Sequence, residues 1–363
     1  MTEHLAELQC EIRGQVGFIT LSRPRALNAL SLGMVRGLME QLLAWQDDPA
    51  VLAVAVRGSN KEGPFGAFCA GGDIRFLHQS GSAGDPRIED FFTEEYALNH
   101  LIHCYPKPYI AFMDGIVMGG GMGISQGAAL RLVTERTKMA MPETAIGLFP
   151  DVGGGYFLSR CPGHTGEWLA LTGESIGADA ALALGLADGR IALEDQALLW
   201  DALGAQRFAG ADAVSALVTS KIIAASAREI SARALIDQYF SLASVSSIVA
   251  ALEAADGEWE QHTAATLRTR SPLMLAVVLE QIRRARGMDL ADDLRMERDM
   301  VRHCFYLRPG QSETLEGIRA LAVDKDQAPR WNPARIEDVT PDMVAPFFES
   351  PWPAWAHPLL ALA

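Results

Sequence analysis

Two carboxylates eight residues apart, Glu143 and Asp151, stand among apolar residues in the segment from Met141 to Gly155 (MPETAIGLFPDVGGG). A carboxyl group in apolar surroundings has its charged form disfavoured, so its pKa rises and it can exchange protons near neutral pH. The plain alternative is that Asp151 caps a helix opened by Val152 while Glu143 faces solvent. Two glycine-rich segments come earlier in the chain. In Phe68 to Arg75 (FCAGGDIR), two small residues followed by two glycines let a backbone approach a ligand and turn successive N–H groups into an anion-accepting concavity. A tight turn with Asp73 capping a helix accounts for those residues equally well. The second segment, Met118 to Gly123 (MGGGMG), also suits close helix–strand packing. It is not a dinucleotide fingerprint, because the sixth position counted from Gly119 is Ile124 where glycine is needed. Gly123-Ile124-Ser125-Gln126-Gly127 satisfies G-x-S-x-G, but glycines precede it and Ser125 falls in a helical run, so no nucleophile elbow is expected.

Regular elements must position these segments. Gln15 to Leu21 is β-branched and aromatic and reads as a strand ended by Ser22-Arg23-Pro24. Met34, Leu38 and Leu42, with Val35, Met39 and Leu43 beside them, recur at helical spacing until Asp47-Asp48-Pro49. The short apolar runs at 51–56 and 109–113 read as strands covered on both faces, separated by a glycine-rich loop at 63–73 and a helix around 88–104. This alternation predicts an α/β fold with parallel connections. From about residue 195 the strand signals thin out, and Ser271-Pro272 opens a helix with a serine cap and proline at its first position. We therefore expect a core domain at 1–194 and a mostly helical region at 195–363. The last stretch (Pro346, Pro351, Trp352, Pro353, Trp355, Pro358) is expected to be an extended tail on the surface.

The chain has 363 residues, 49% of them hydrophobic, enough for a substantial core. Its net charge of −14 argues against general nucleic-acid binding and requires any anionic ligand to be met by local basic residues or backbone N–H groups. Cys10, Cys69, Cys104, Cys161 and Cys304 are odd in number and scattered, with no CxxC spacing, so no metal site and a reduced, cytoplasmic protein are expected. The acidic start MTEHLAELQCEIRG gives no sign of a cleaved leader. The uncharged stretch from Gly115 to Leu130 is shorter than the roughly 18 apolar residues of a membrane span and is broken by glycines, so no membrane association is expected.

Taken in order and spacing, Phe68 to Arg75, Met118 to Gly123 and Met141 to Gly155, with Leu27-Asn28-Ala29-Leu30 upstream, resemble the crotonase (enoyl-CoA hydratase/isomerase) superfamily. Phe91-Phe92-Thr93-Glu94-Glu95-Tyr96, the run from Met141 to Leu158, Glu316 to Ala320, Asp324-Lys325-Asp326 and Pro329-Arg330-Trp331 resemble its 3-hydroxyisobutyryl-CoA hydrolase branch. The resemblance runs from about residue 7 to 345. It implies a spiral of strand–strand–helix repeats with a helical C-terminal region packed on the core or on a neighbour, which allows a homo-oligomer. It implies thioester hydrolysis of an acyl-CoA, with no cofactor because coenzyme A belongs to the substrate. The Gly72 and Gly120 N–H groups would form an oxyanion hole, Glu143 would be the principal catalytic carboxylate and Asp151 its partner. Glu95 would lie close to the substrate, and the backbone around Ala26, Leu27, Ala70, Asp73 and Ile74 would meet adenine and phosphate. Arg23 and Arg25 are candidates for local positive charge, or are simply solvated. Hydratases of the superfamily carry a second glutamate where this chain has Gly123, whereas its dienoyl-CoA isomerases share the spacing of Glu143 and Asp151. The rival readings are an enoyl-CoA hydratase/isomerase-type crotonase, above all an isomerase or a hydrolase of another branched or β-hydroxy acyl-CoA, and a non-catalytic CoA-binding scaffold.

Overall fold

In this computed structural model, residues 7–223 and 230–362 are described. Residues 1–6 of the acidic start lie outside them. The strands in chain order are β1 (Leu8–Arg13), β2 (Val16–Leu21), β3 (Ala53–Gly58), β4 (Tyr109–Met113), β5 (Ile116–Met118), β6 (Leu130–Val133), β7 (Lys138–Ala140) and β8 (Gly189–Arg190). The helices that bear on the site are α1 (Leu32–Gln46), α2 (Ile74–Ala83), α3 (Arg87–His103), α4 (Gly120–Gln126), α5 (Gly154–Ser159), α6 (Pro272–Ala285) and α7 (Leu290–Tyr306). The chain forms two compact units that interleave along the sequence. The first comprises Met1–Gly72, Ala97–Met139 and Ile176–Glu229, and the second Asp73–Tyr96, Ala140–Ser175 and Ile230–Ala363.

The first unit is built on a sheet of order β1-β2-β3-β4-β6-β8. Every pairing from β2 to β8 is parallel, and β1 alone is antiparallel, joined to β2 through a turn at Gly14 with φ +61°. β2 and β4 are buried along their whole length, as parallel strands covered on both faces must be, and this is why they read as unbroken apolar runs. Phe18, Phe112 and Trp200 pack on one side of the sheet, with Phe18 and Trp200 ring centroids 4.7 Å apart. α1 begins where Ser31 accepts a hydrogen bond from the Met34 N–H, and it buries Met34, Val35, Leu38, Leu42 and Trp45. The α/β fold with parallel connections is the one expected. Two details differ. β1 has one face in solvent and polar residues along it, so its sequence LQCEIR carries no apolar run. The third strand also starts at Ala53, two residues later than expected, with the Leu52 N–H donating to the Gln15 carbonyl just before it.

The second unit is helical. α6 starts as expected, with Ser271 accepting from the Met274 N–H and Pro272 at the first position, and it packs on α5 and on the helix Thr165–Thr172. The residues from 195 onward contribute to both units. The C-terminal stretch is not an extended tail: it is a series of short helical turns at Pro341–Val344, Ala345–Phe348 and Ala354–Ala356. Phe347 and Leu359 are buried, so apolar anchoring outweighs the proline-rich composition.

Candidate active site

In the first unit the two glycine segments lie against each other. Cys69 pairs with Val117, and the Met118 N–H donates to the Cys69 carbonyl at 2.9 Å. A side chain at Gly121 would bring its Cβ to 2.3 Å from the Cys69 oxygen, so only glycine lets α4 start this close to the loop. Gly71 takes φ +109°, which turns the chain so that its carbonyl accepts from the Leu30 N–H at 2.8 Å. Among the described residues, neither the Gly72 nor the Gly120 N–H is donated to a backbone carbonyl. Two such donors from adjacent segments have the makings of an anion or oxyanion site.

Asn28, in the Leu27-Asn28-Ala29-Leu30 segment, braces this arrangement. It is buried at φ +57°, its amide donates to the Ser59, Ala67 and Phe68 carbonyls at 2.8–3.1 Å, and its Oδ1 accepts from the Arg23 N–H. Ala26 and Leu27 meet Ala70 there, where the Ala70 N–H donates to the Leu27 carbonyl at 3.0 Å. The N–H groups of Ala26, Leu27 and Ala70 are all committed to backbone carbonyls, which leaves the Ala70 carbonyl and the exposed Leu27 side chain as the surface offered here. Arg23 is tied to Glu7 at 3.0 Å and to the Ala29 carbonyl at 2.9 Å, while Arg25 is exposed. Ser125 lies within α4, fully buried, its hydroxyl donated to the Gly121 carbonyl at 2.8 Å, so it is no nucleophile.

The second unit carries Asp73 and Ile74 at the start of α2, where the Asp73 carboxylate accepts from the Arg75 and Phe76 N–H groups and caps the helix. It also gathers the carboxyl groups. Glu143 opens a 3-10 turn, Glu143–Ile146, and is 7% exposed. Asp151 is 6% exposed and Glu95, on α3, 2%. Neither of the plain alternatives holds: Glu143 does not face solvent, and the helix after Asp151 is capped by Gly153. Glu95 is the buried member of the Glu94-Glu95 pair. One oxygen of Glu143 and one of Glu95 are buried with no hydrogen-bond partner among the described residues. Burial first, and the negative charge of Asp151 second, push both glutamates well above the usual carboxylate range. Burial pushes Asp151 up to about 7, against the opposing pull of the Tyr96 hydroxyl, which donates to Asp151 Oδ2 at 3.0 Å. Three buried carboxyl groups raised above the usual carboxylate range, two with an open lone pair, are suited to general acid–base work.

The loop that carries Asp151 is held from behind. Val152 is a β-branched residue at φ +58°, a conformation costing roughly 1–3 kcal/mol that persists only when its surroundings enforce it. The enforcing groups come from α6 and α7. Glu297 accepts from the Gly153 and Gly155 N–H groups at 2.8 and 2.9 Å, Asp293 accepts from the Tyr156 N–H at 2.8 Å, and Gln281 donates to the Pro150 carbonyl at 2.7 Å. Asp293 and Glu297 are fully buried. Arg298 beside them is committed to Glu89 and Thr93. Sequence alone does not point to Tyr96, Asn28, Gln281, Asp293 or Glu297 as parts of the site; only Asn28 and Tyr96 fall within segments that resemble the family. Among the described residues no group of His, Cys, Asp and Glu side chains is arranged to hold a metal ion, and no helix is long and apolar enough to cross a membrane.

A parallel sheet whose strands lead into paired glycine segments, followed by a buried glutamate, is the arrangement of the crotonases, and the chain belongs to the enoyl-CoA hydratase/isomerase family, whose model matches residues 16–348. Among curated relatives, the chain is 41% identical over 343 residues to the mitochondrial 3-hydroxyisobutyryl-CoA hydrolase of Xenopus tropicalis, covering 93% of this chain and 87% of that protein. It is 34% identical over 355 residues to the Homo sapiens protein of the same name, covering 96% and 90%. Among solved structures it resembles a carnitinyl-CoA dehydratase from Mycobacterium thermoresistibile, with TM-score 0.88, 37% identity and 98% and 99% of the two chains covered. An enoyl-CoA hydratase from Rhodobacter sphaeroides aligns with TM-score 0.84 and 37% identity over 95% and 98% of the chains. These findings correct one expectation. Scattered cysteines and an acidic start led to a cytoplasmic assignment, but the hydrolases that this chain resembles are mitochondrial, and the assignment does not stand.

Proposed function

We propose that this protein hydrolyses the thioester of a short β-hydroxyacyl-CoA, with 3-hydroxyisobutyryl-CoA as the first substrate to test, giving the free acid and coenzyme A. The observation that carries the reading is the similarity to 3-hydroxyisobutyryl-CoA hydrolases along nearly the whole chain, 41% identity over 343 residues. Water adds to the thioester carbonyl carbon, the C–S bond breaks, and the thiolate leaves as the thiol after taking a proton. The N–H groups of Gly72 and Gly120 receive the negative charge that develops on the carbonyl oxygen, each contributing roughly 3–4 kcal/mol to the transition state. Glu143 acts on the carbonyl carbon, directly or through the water. Asp151 exchanges the proton with it, and Glu95 lies against the acyl group. The surface of Ala26, Leu27 and Ala70, and the start of α2 at Asp73 and Ile74, meet the adenine and phosphate portion of CoA.

Hydration is the second reading, favoured by the hydratase and dehydratase names of the two solved structures. It requires a second acid over the enoyl double bond, and at that position of the family motif this chain has Gly123. The test of the proposal is Glu143→Gln, which keeps the shape of the side chain and removes its basicity. CoA release from 3-hydroxyisobutyryl-CoA, followed with a thiol reagent, should fall by roughly a hundredfold or more with little change in KM. Turnover near that of the unaltered protein would sink the assignment of Glu143.

A further inference from the structure

The carboxyl groups of the second unit are not equivalent in what they are given. Tyr96 is fully buried on α3, and its hydroxyl donates to Asp151 Oδ2 at 3.0 Å. Its ring is set against Phe92 one turn earlier, with centroids 6.0 Å apart, and Phe92 in turn packs on Phe305 of α7. The phenol is therefore held in one orientation, aimed at one oxygen. Among the described residues, none donates to Glu95 Oε1 or Glu143 Oε2, both of which are buried. The groups whose charge is felt between Asp151 and its surroundings are Glu95 and Tyr96 from α3, Glu143 from the 3-10 turn, and Glu297 and Cys304 from α7. Among the described residues all of these are acids, and none is a cation. Like charges in one apolar region cannot all ionise, and a hydrogen bond from a neutral donor strengthens when its acceptor is charged. The first negative charge therefore settles on the carboxyl that already has a side-chain donor.

We propose that Tyr96 is a positioning residue of this site, whose hydroxyl fixes the Asp151 carboxyl and makes Asp151, ahead of Glu143 and Glu95, the group that carries the negative charge. This rests on the hydrolase reading for its kinetic consequence, but not for its structural one. Asp151 in its charged form is the resting base. It takes the proton that Glu143, or the water Glu143 holds, gives up as the carbonyl carbon is attacked, and returns it to the leaving thiolate.

The experiment uses the full chain and two replacements with opposite expected signs. In Tyr96→Phe the packing stays and the donor goes, so the acid limb of kcat/KM against pH moves up by about one pH unit, with KM at pH 8 nearly unchanged. Replacing Tyr96 by 3-fluorotyrosine makes the phenol a stronger donor and moves the same limb down. Independently of turnover, the side-chain carboxyl resonance of 13C-labelled aspartate that disappears in Asp151→Asn is titrated in each protein, and its midpoint follows the same two directions. Unchanged midpoints in both replacements, or a loss of kcat equal at every pH, would reduce Tyr96 to packing and overturn the proposal. If the unaltered protein releases no CoA from any acyl thioester, the hydrolase reading fails while the carboxyl titration still decides the role of Tyr96.

Discussion

Replacing Asp151 with asparagine should make the protein more stable at pH 8 while abolishing its turnover. The asparagine carbonyl still accepts from the Tyr96 hydroxyl, so the hydrogen bond at 3.0 Å and the packing are retained and only the charge is lost. Asp151 is 6% exposed, and burial raises it from 3.8 to about 7. At 1.36 kcal/mol per pH unit, a rise of about 3 units is on the order of 4 kcal/mol of unfavourable ionisation, which relaxation around the charge brings to about 2–4 kcal/mol. The sign follows from proton counting. Between pH 3.8 and 7 the folded state holds a proton that the unfolded chain has released, so stability is greatest below the unfolded pKa and is lost as pH rises towards 7. Removing the charge also relieves Glu143 and Glu95, which the Asp151 charge pushes up. The assay is the apparent Tm of both proteins at pH 4, 5, 6, 7 and 8. The difference should be near zero at the lowest pH and grow to roughly 4–16 °C at pH 8, taking about 2–4 °C per kcal/mol for a larger domain. A variant less stable than the parent at pH 8, or a gain that is the same at pH 4, would refute the reasoning that a buried charge is what this site holds at a cost.

Three further outcomes are expected. Gly121→Ala places a Cβ at 2.3 Å from the Cys69 oxygen, so the start of α4 must shift and kcat should fall by at least about tenfold with circular dichroism unchanged; full activity would remove the basis for placing an oxyanion donor at Gly120. Gly72→Pro deletes one N–H, and a folded variant should lose roughly a hundredfold or more in kcat, measured by thiol release. Glu297→Gln offers one carbonyl oxygen where two backbone N–H groups, of Gly153 and Gly155, need acceptors, so it should cost about 1–3 kcal/mol in apparent stability and lower kcat through the displaced Asp151 loop. An unchanged Tm together with an unchanged kcat would contradict that anchoring.

Much of this fold is legible in the sequence because its central strands are buried on both faces. Tyr109 to Met113 reads as an apolar run for the same reason that it is parallel and covered. Leu8 to Arg13 is illegible because an edge strand with polar residues along it has no period that stands out from a loop. Glu143 and Asp151 were visible as acids in apolar company, and burial is what makes that company matter. Their supports were not visible. Tyr96 is 55 residues from Asp151, and Glu297 is 144 residues from Gly153, and nothing local in Arg87–His103 or Leu290–Tyr306 distinguishes an inward acceptor or donor from an ordinary helical residue. The φ of +58° at Val152 could not be read either, since valine ordinarily argues against that conformation.

The most direct test of the central claim compares two substrates with one preparation of the unaltered protein. With 3-hydroxyisobutyryl-CoA, thiol release should be rapid and stoichiometric with the substrate consumed. With crotonyl-CoA, the enoyl absorbance should stay almost unchanged, because Gly123 offers no second acid to hold water over the double bond. Rapid loss of the crotonyl-CoA absorbance with no free thiol from the β-hydroxyacyl-CoA would contradict hydrolysis and assign this chain to the hydratases.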